Sequence, residues 1–279
     1  MTSDTAHRIS TEARAFLFDV FGTCVDWRKS VTDALHEAAT RTLSDSSSII
    51  SPSVRRVAGQ YTKDTWGDFA QQWRTTYYDF TRGLAKDPTS TWKTVDQHNL
   101  DSLRAILLER GLIHKPNEGT SGNFWTNDEI KHLSTIWHRL SSWPDTNSAL
   151  TILGRTYATA TLSNGNMSLL HDMQTYSGMK FTHTFSSELF GSYKPNPAIY
   201  HGAAERLKLR PEQCVMVAAH LVDLEAAKGC GFWTVYVERP REETEDVEVA
   251  RRKGFVDLWV AEGEGGFLGM CRMLGLSDQ

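Results

Sequence analysis

FLFDVFGTCVDW, residues 16–27, ends an apolar run on one carboxylate, Asp19, and follows it with a turn. Leu17, Phe18 and Val20 suit a buried strand, and Gly22-Thr23 suits a tight loop. The next acid, Asp26, comes only later, and the position two residues after Asp19 is Phe21. An acid at the mouth of a hydrophobic strand fits an open parallel sheet, where ligands bind beyond the carboxyl ends of the strands.

The rest of the chain supplies such a sheet. Short apolar runs at AFLFDV (15–20), TYATATLS (156–163), CVMVAA (214–219) and FWTVYV (232–237) are expected as strands buried on both faces. Helical patterns lie between them, such as MSLLHDMQTYSG (167–178) and PNPAIYHGAAERLK (195–208), the latter opened by prolines that suit a first turn. This alternation is an α/β signature. From about Trp27 to Ser142 almost no strand pattern appears. That stretch is rich in helix formers and in aromatics, including Trp66, Trp73, Tyr77, Tyr78, Trp92 and Trp137, which are expected to pack. It is a helical insertion, entered after the first strand and left near SSWPDTNSAL. Within it, residues 44–53, 85–92 and 114–128 have loop composition. The charge run ERPREETEDVEVARRKG (238–254) is expected as a solvated loop and helix face.

Composition narrows the function classes. With 279 residues, 40% of them hydrophobic, the chain can bury a full core. A formal net charge of −4 gives no electrostatic footprint for nucleic acid or anionic lipid. No run is long and apolar enough to span a bilayer, and the N-terminal segment lacks the apolar stretch of a secretory signal. Four cysteines, Cys24, Cys214, Cys230 and Cys271, show no metal-ligand spacing and suit a reducing compartment. A cytoplasmic location is therefore expected.

Polar groups gather at the strand exits: Asp19 after the first, Ser163-Asn164 after the second, Asp223 just beyond VMVAAH, and Lys194 in the loop GSYKPNPAIY. Singly each is weak. A lone Asp is about as often a turn or helix cap as a catalyst, and a lone Lys is usually solvated. Together, in this order, they describe a site.

The order DVFGT, LSNG, YKPNPAIY and VAAHLVDLEAAKGCGF resembles the haloacid dehalogenase superfamily. DVFGTCVDWR, WHRLSSWPD and TLSNGN resemble its type II 2-haloacid dehalogenase branch, over about Ala15 to Arg239. The resemblance implies a Rossmann-like core, residues 1–26 and 143–279, with a helical cap inserted at 27–142. It implies Asp19 as nucleophile, Lys194 as its charge partner, Asp223 as the last acid and Arg74 as the cap arginine. Thr23, Ser163, Asn164 and Tyr200 are implied around the substrate. Without the resemblance, Arg74 would be a helix-surface residue pairing with Asp68 or Asp79, and Tyr200 a core aromatic.

The chemistry explains Phe21. Phosphotransferases of the superfamily carry a second Asp there, and cluster acids after the last catalytic strand to hold Mg²⁺. HLVD supplies one acid, Asp223. The expectation is a cofactor-free and metal-free hydrolase that forms a covalent ester on Asp19, cleaving a small 2-halo acid. The alternatives are a different or larger electrophile, a phosphatase, or a retired binding protein. A small molecule is the expected partner, with neither nucleic acid nor membrane, and the assembly is open between monomer and homodimer. One departure stands out. Where the branch shows Ser-x-Asn ahead of the last acid, this chain has Ala218-Ala219-His220. His220 could contact substrate, orient Asp19 or Asp223, or act as a base; as a turn cap it would do none of these.

Overall fold

A computed structural model describes residues 3–87, 91–115 and 122–276. Helix α1 (Ser3–Glu12) leads into strand β1 (Ala15–Phe18). Five helices follow: α2 (Trp27–Ser44), α3 (Pro52–Ala58), α4 (Lys63–Lys86), α5 (Val95–Glu109) and α6 (Asn127–Ser134), the last continued by a 3-10 turn at Thr135–His138. The chain then alternates: α7 (Thr146–Leu153), β2 (Ala158–Ser163), α8 (Met167–Ser177), β3 (His183–Ser186), α9 (Pro197–Leu207), β4 (Cys214–Ala218), α10 (Leu221–Gly229), β5 (Trp233–Val237), α11 (Val247–Lys253), β6 (Leu258–Val260) and α12 (Gly266–Met273). Residues 88–90 and 116–121, parts of two segments with loop composition, lie outside the described residues.

The six strands are all parallel, in the order β3-β2-β1-β4-β5-β6. This is the doubly wound α/β arrangement, and the order reverses between β1 and β4, which opens a crevice at their carboxyl ends. The sequence pattern gave four of these strands; β3 and β6 are additional. They are the two edge strands, four and three residues long, and only the inner half of β3 is buried. β3 opens on an exposed histidine, and β6, though apolar and buried, is too short for a pattern to register.

All four β1 residues are fully buried because the sheet is covered on both faces. Ala15 and Leu17 point into a cluster with Leu162, Met216, Ile199 of α9 and Leu224 of α10. Phe16 and Phe18 alternate to the other face, where their rings pack on Tyr157 (4.9 Å) and on Phe267 of α12 (5.2 Å). Burying each such large side chain contributes roughly 1.5–3 kcal/mol. Asn196 caps α9 through Ala198 N, with Pro197 in its first turn.

The chain divides into two compact units. One holds the described residues of Met1–Asp26, Thr81–Trp92 and Ser141–Gln279; the other holds those of Trp27–Phe80 and Lys93–Leu140. The second unit is helical with an aromatic interior. Trp66 packs with Phe69, Phe124 and Trp125, while Trp137 stacks on Trp27 and meets the edge of Trp73. The Trp73 indole N–H donates to Ser102 Oγ at 3.0 Å, which satisfies its polar end. Capping boxes at Thr94/Gln97 and Thr126/Glu129 start α5 and α6. Of the aromatics expected to pack, Trp92 is 37% exposed and stacks on Tyr193 within the first unit. Among the described residues, no helix is long and apolar enough to cross a membrane, and all four cysteines are free and buried.

Candidate active site

Asp19 directly follows β1 and continues its ladder through Asp19 N donating to Val217 O. Its side chain is therefore placed by the sheet, at the crevice where the strand order reverses. Gly22 has φ +82° and turns the chain back, so that the Thr23 hydroxyl donates to Asp19 Oδ2 at 2.7 Å. The same hydroxyl accepts from Ala219 N at 2.9 Å, which ties the β1 loop to the exit of β4.

Three groups converge on Asp19. Lys194 Nζ donates to Oδ1 at 3.0 Å and also hydrogen-bonds Asp223. His220 Nδ1 lies 3.0 Å from Oδ2, beside Thr23. Asp223, in the first turn of α10, also accepts from the Tyr200 hydroxyl at 2.5 Å. Asn164, just past β2, accepts through Oδ1 from Lys194 N (2.8 Å) and the Ser187 hydroxyl (2.7 Å), so it sets the backbone of the lysine loop. Ser163 is fully buried, its hydroxyl accepting from Gly165 N at 3.2 Å.

Electrostatics divide the two acids. Burial alone would raise the pKa of Asp19, but the Lys194 cation, the His220 hydrogen bond and charge, and the Thr23 hydroxyl outweigh it and hold the carboxyl well below its usual range. For Asp223 burial wins: its pKa is raised by desolvation and by the Asp19 charge, with Lys194 only partly compensating. Burial would lower the Lys194 pKa, yet the two carboxylates hold it above the ordinary lysine value. Tyr200 is raised well above a free phenol by burial and Asp223, so it remains a donor. The result is a persistent carboxylate at Asp19, in a buried site, with one lysine cation shared between two acids.

Thus Asp19, Thr23, Lys194, Asp223, Tyr200 and His220 share one hydrogen-bonded network, with Asn164 attached through the Lys194 backbone. Tyr200 is both core aromatic and network member. Arg74 belongs to the second unit. It is 2% exposed rather than on a helix surface, its guanidinium carbon 4.4 Å from the ring centres of Tyr77 and Tyr78 and 5.6 Å from that of Trp27. His220 precedes α10 without capping it through its side chain.

The charge run after β5 needs correcting. It is not wholly solvated: Arg239 and Glu242 are buried. Arg239 pairs with both oxygens of Asp145 at 2.8 Å and donates through Nε to Thr23 O, while Glu242 faces His220 Nε2 at 3.3 Å. Their position just past a strand end is the available signal, hidden among neighbouring charges. Trp143 donates its indole N–H to Gly22 O at 2.9 Å.

Residues 13–231 match the family model of the haloacid dehalogenase-like hydrolases. The chain belongs to that family. Among these hydrolases, (S)-2-haloacid dehalogenase 1 of Pseudomonas sp. strain CBS-3 is 26% identical over 231 residues, covering 81% of this chain and 85% of that protein. (S)-2-haloacid dehalogenase 4A of Burkholderia cepacia is likewise 26% identical, covering 81% and 83%. The crystal structure of a defluorinating L-2-haloacid dehalogenase superposes with a TM-score of 0.74 at 28% identity, covering 94% of this chain and 95% of that one. The type II resemblance of the sequence motifs therefore extends over most of the hydrolase's length.

Proposed function

We propose that the protein hydrolyses the carbon–halogen bond of a small 2-halo acid through a covalent ester on Asp19. The observation that carries this is a buried carboxylate kept ionised by Lys194, with a phenylalanine in place of a second acid. Asp19 Oδ2 already accepts from Thr23 and faces His220, whereas Oδ1 accepts from Lys194. Oδ1 is thus the attacking atom. It bonds to the substrate carbon as the halide leaves with the bonding pair. The Asn164 amide cradles the halide, and the Ser163 hydroxyl with backbone N–H groups holds the substrate carboxylate. Asp223 and Tyr200 fix Lys194 from behind. Water then attacks the ester carbonyl and releases a 2-hydroxy acid.

Magnesium chemistry does not fit these residues. Phe21 is buried at the position of the second acid, and the Lys194 ammonium bridges Asp19 and Asp223, where a metal would compete with it. Among the described residues no three His, Cys, Asp or Glu side chains are arranged to hold a metal ion. A second reading, a different or larger electrophile at the same nucleophile, is favoured by Ala218, which offers no hydrogen bond to a substrate.

Halide release from a panel of 2-halo acids, with and without chelator, tests the function. Release is expected without metal and lost in Asp19→Asn, and single turnover in ¹⁸O water labels the Asp19 carboxylate. A Mg²⁺-dependent phosphatase activity at an ordinary enzymatic rate, or an active Asn variant free of deamidation, would overturn it.

A further inference from the structure

Glu242 lies in the loop after β5 with its side chain only 4% exposed, facing His220 Nε2 at 3.3 Å; His220 Nδ1 faces Asp19 Oδ2 at 3.0 Å. We propose that Asp19, His220 and Glu242 form a nucleophile–base–carboxylate relay. In it His220 takes the proton of the water that cleaves the Asp19 ester, and Glu242 is the positioning residue that holds the far ring nitrogen. The proposal rests on the ester chemistry above and assigns the base that chemistry needs.

The loop is built to hold Glu242 in place. On one side Arg239 is clamped by Asp145 and Thr23 O. On the other, Glu243 Oε2 accepts from Leu221 N at 2.6 Å, while its Oε1 accepts from Thr244 N and Glu245 N. Glu243 thereby satisfies the first N–H of α10 and ties the loop to the start of that helix. Gly22 supplies the remaining room. A Cβ there would overlap the Glu242 carboxylate, and the φ of +82° already disfavours a side chain.

The two ring nitrogens have different partners at different stages. In the resting enzyme each faces a carboxylate oxygen, an arrangement satisfied by hydrogen on both. Alkylation of Oδ1 removes the negative charge of Asp19, and the Nδ1 proton leaves to solvent, which is the one proton the overall hydrolysis produces. Glu242 keeps Nε2–H, so the Nδ1 lone pair is directed at the ester group. A water oxygen bonds to Asp19 Cγ as one water proton passes to Nδ1, and the carbonyl pair moves onto Oδ2, where the Thr23 hydroxyl donates. Collapse reforms the carbonyl and breaks the Cγ–Oδ1 bond. The departing oxygen takes the remaining water proton, and Asp19 returns as a carboxylate beside a doubly protonated His220. A base oriented by a third group is the general logic of activated nucleophile sites.

The probe is (S)-2-chloropropionate, with rapid acid quench and intact-protein mass. His220→Asn should release one turnover of chloride and then stall with the ester mass retained, its hydrolysis slowed by about 10²–10⁴-fold, the usual contribution of a positioned acid–base group. Glu242→Gln, nearly isosteric, should lower kcat by about 10²-fold without raising KM and accumulate the same ester, and Glu242→Asp should recover part of the rate. In the resting enzyme, the ¹⁵N resonances of His220 should change from a doubly protonated ring to a single tautomer in Glu242→Gln. Unchanged His220 resonances in that variant, or a His220→Asn enzyme that turns over normally without trapped ester, overturn the relay. A wild-type enzyme that releases no chloride and never gains the ester mass is distinguishable from both, and overturns the 2-halo acid reading together with the relay that rests on it.

Discussion

Lys194 Nζ stands 3.0 Å from Asp19 Oδ1 and also hydrogen-bonds Asp223, so a single ammonium compensates two carboxylates that are each less than a tenth exposed. Replacing it with an apolar residue leaves both charges in low dielectric. Lys194→Met should destabilise the protein by about 3–5 kcal/mol in denaturant titrations near neutral pH, the scale for breaking a buried pair by removing one partner. The pH dependence follows from the directions of the shifts. Lys194 has a raised folded pKa, so its stabilisation is present below its unfolded value and fades as pH rises through the folded one. Asp19 has a lowered folded pKa, so its stabilisation is present above the unfolded carboxylate value and fades as pH falls. Without the lysine, burial is opposed only by the His220 and Thr23 contacts at Asp19 and by the Tyr200 hydrogen bond at Asp223, so the folded state binds protons more readily than that of the wild type. Lys194→Met should therefore regain more stability than the wild type as pH falls below neutral. A variant as stable as wild type at pH 7 would remove the lysine from this role.

The sheet centre was legible from sequence because β1, β2, β4 and β5 are buried on both faces and read as apolar runs. The edges were not, since His183 of β3 is exposed and β6 spans three residues. Site legibility followed the same physics. Asp19, Ser163, Asn164 and Asp223 follow central strands, and an isolated polar group after an apolar run is conspicuous. Glu242 and Arg239 also follow a strand, β5, yet they sit among Glu238, Arg241, Glu243 and Glu245. Sequence cannot tell which charge in such a run is turned inward, because that is decided by partners far along the chain: Asp145 for Arg239 and His220 for Glu242.

Arg74 separates packing from chemistry. On α4, Tyr77 and Tyr78 lie three and four positions on, so their rings flank the guanidinium on one helix face. Arg74→Ala should cost stability through lost cation–aromatic packing, about 0.5–2 kcal/mol, and if Arg74 receives the halide it should also lose roughly 10²-fold in kcat. Arg74→Lys keeps the charge without the planar fork and should retain part of the rate. The loss should fall on kcat more than KM, because the interaction strengthens as charge develops. Normal turnover in an Arg74→Ala enzyme would leave the arginine a packing residue only.

His98 offers a pH signature belonging to the helical unit alone. Its ring stacks on Phe80 with centroids 4.3 Å apart, and its Nε2 lies 3.1 Å from the Thr76 hydroxyl. Burial, with the nearby Lys93 charge adding to it and Asp101 opposing, lowers its pKa to about 4. The unfolded chain, with an ordinary histidine near 6.5, therefore takes up this proton before the folded one does. Stability should be independent of His98 above about pH 6.5, and should fall as pH drops from there towards 4. In His98→Gln, which cannot titrate, that part of the slope should flatten. Urea midpoints of the two proteins between pH 4 and 7.5 are the measurement. Parallel curves across the whole range would mean that His98 gains its proton equally well folded and unfolded, and that the Phe80 stack does not exclude the charged ring.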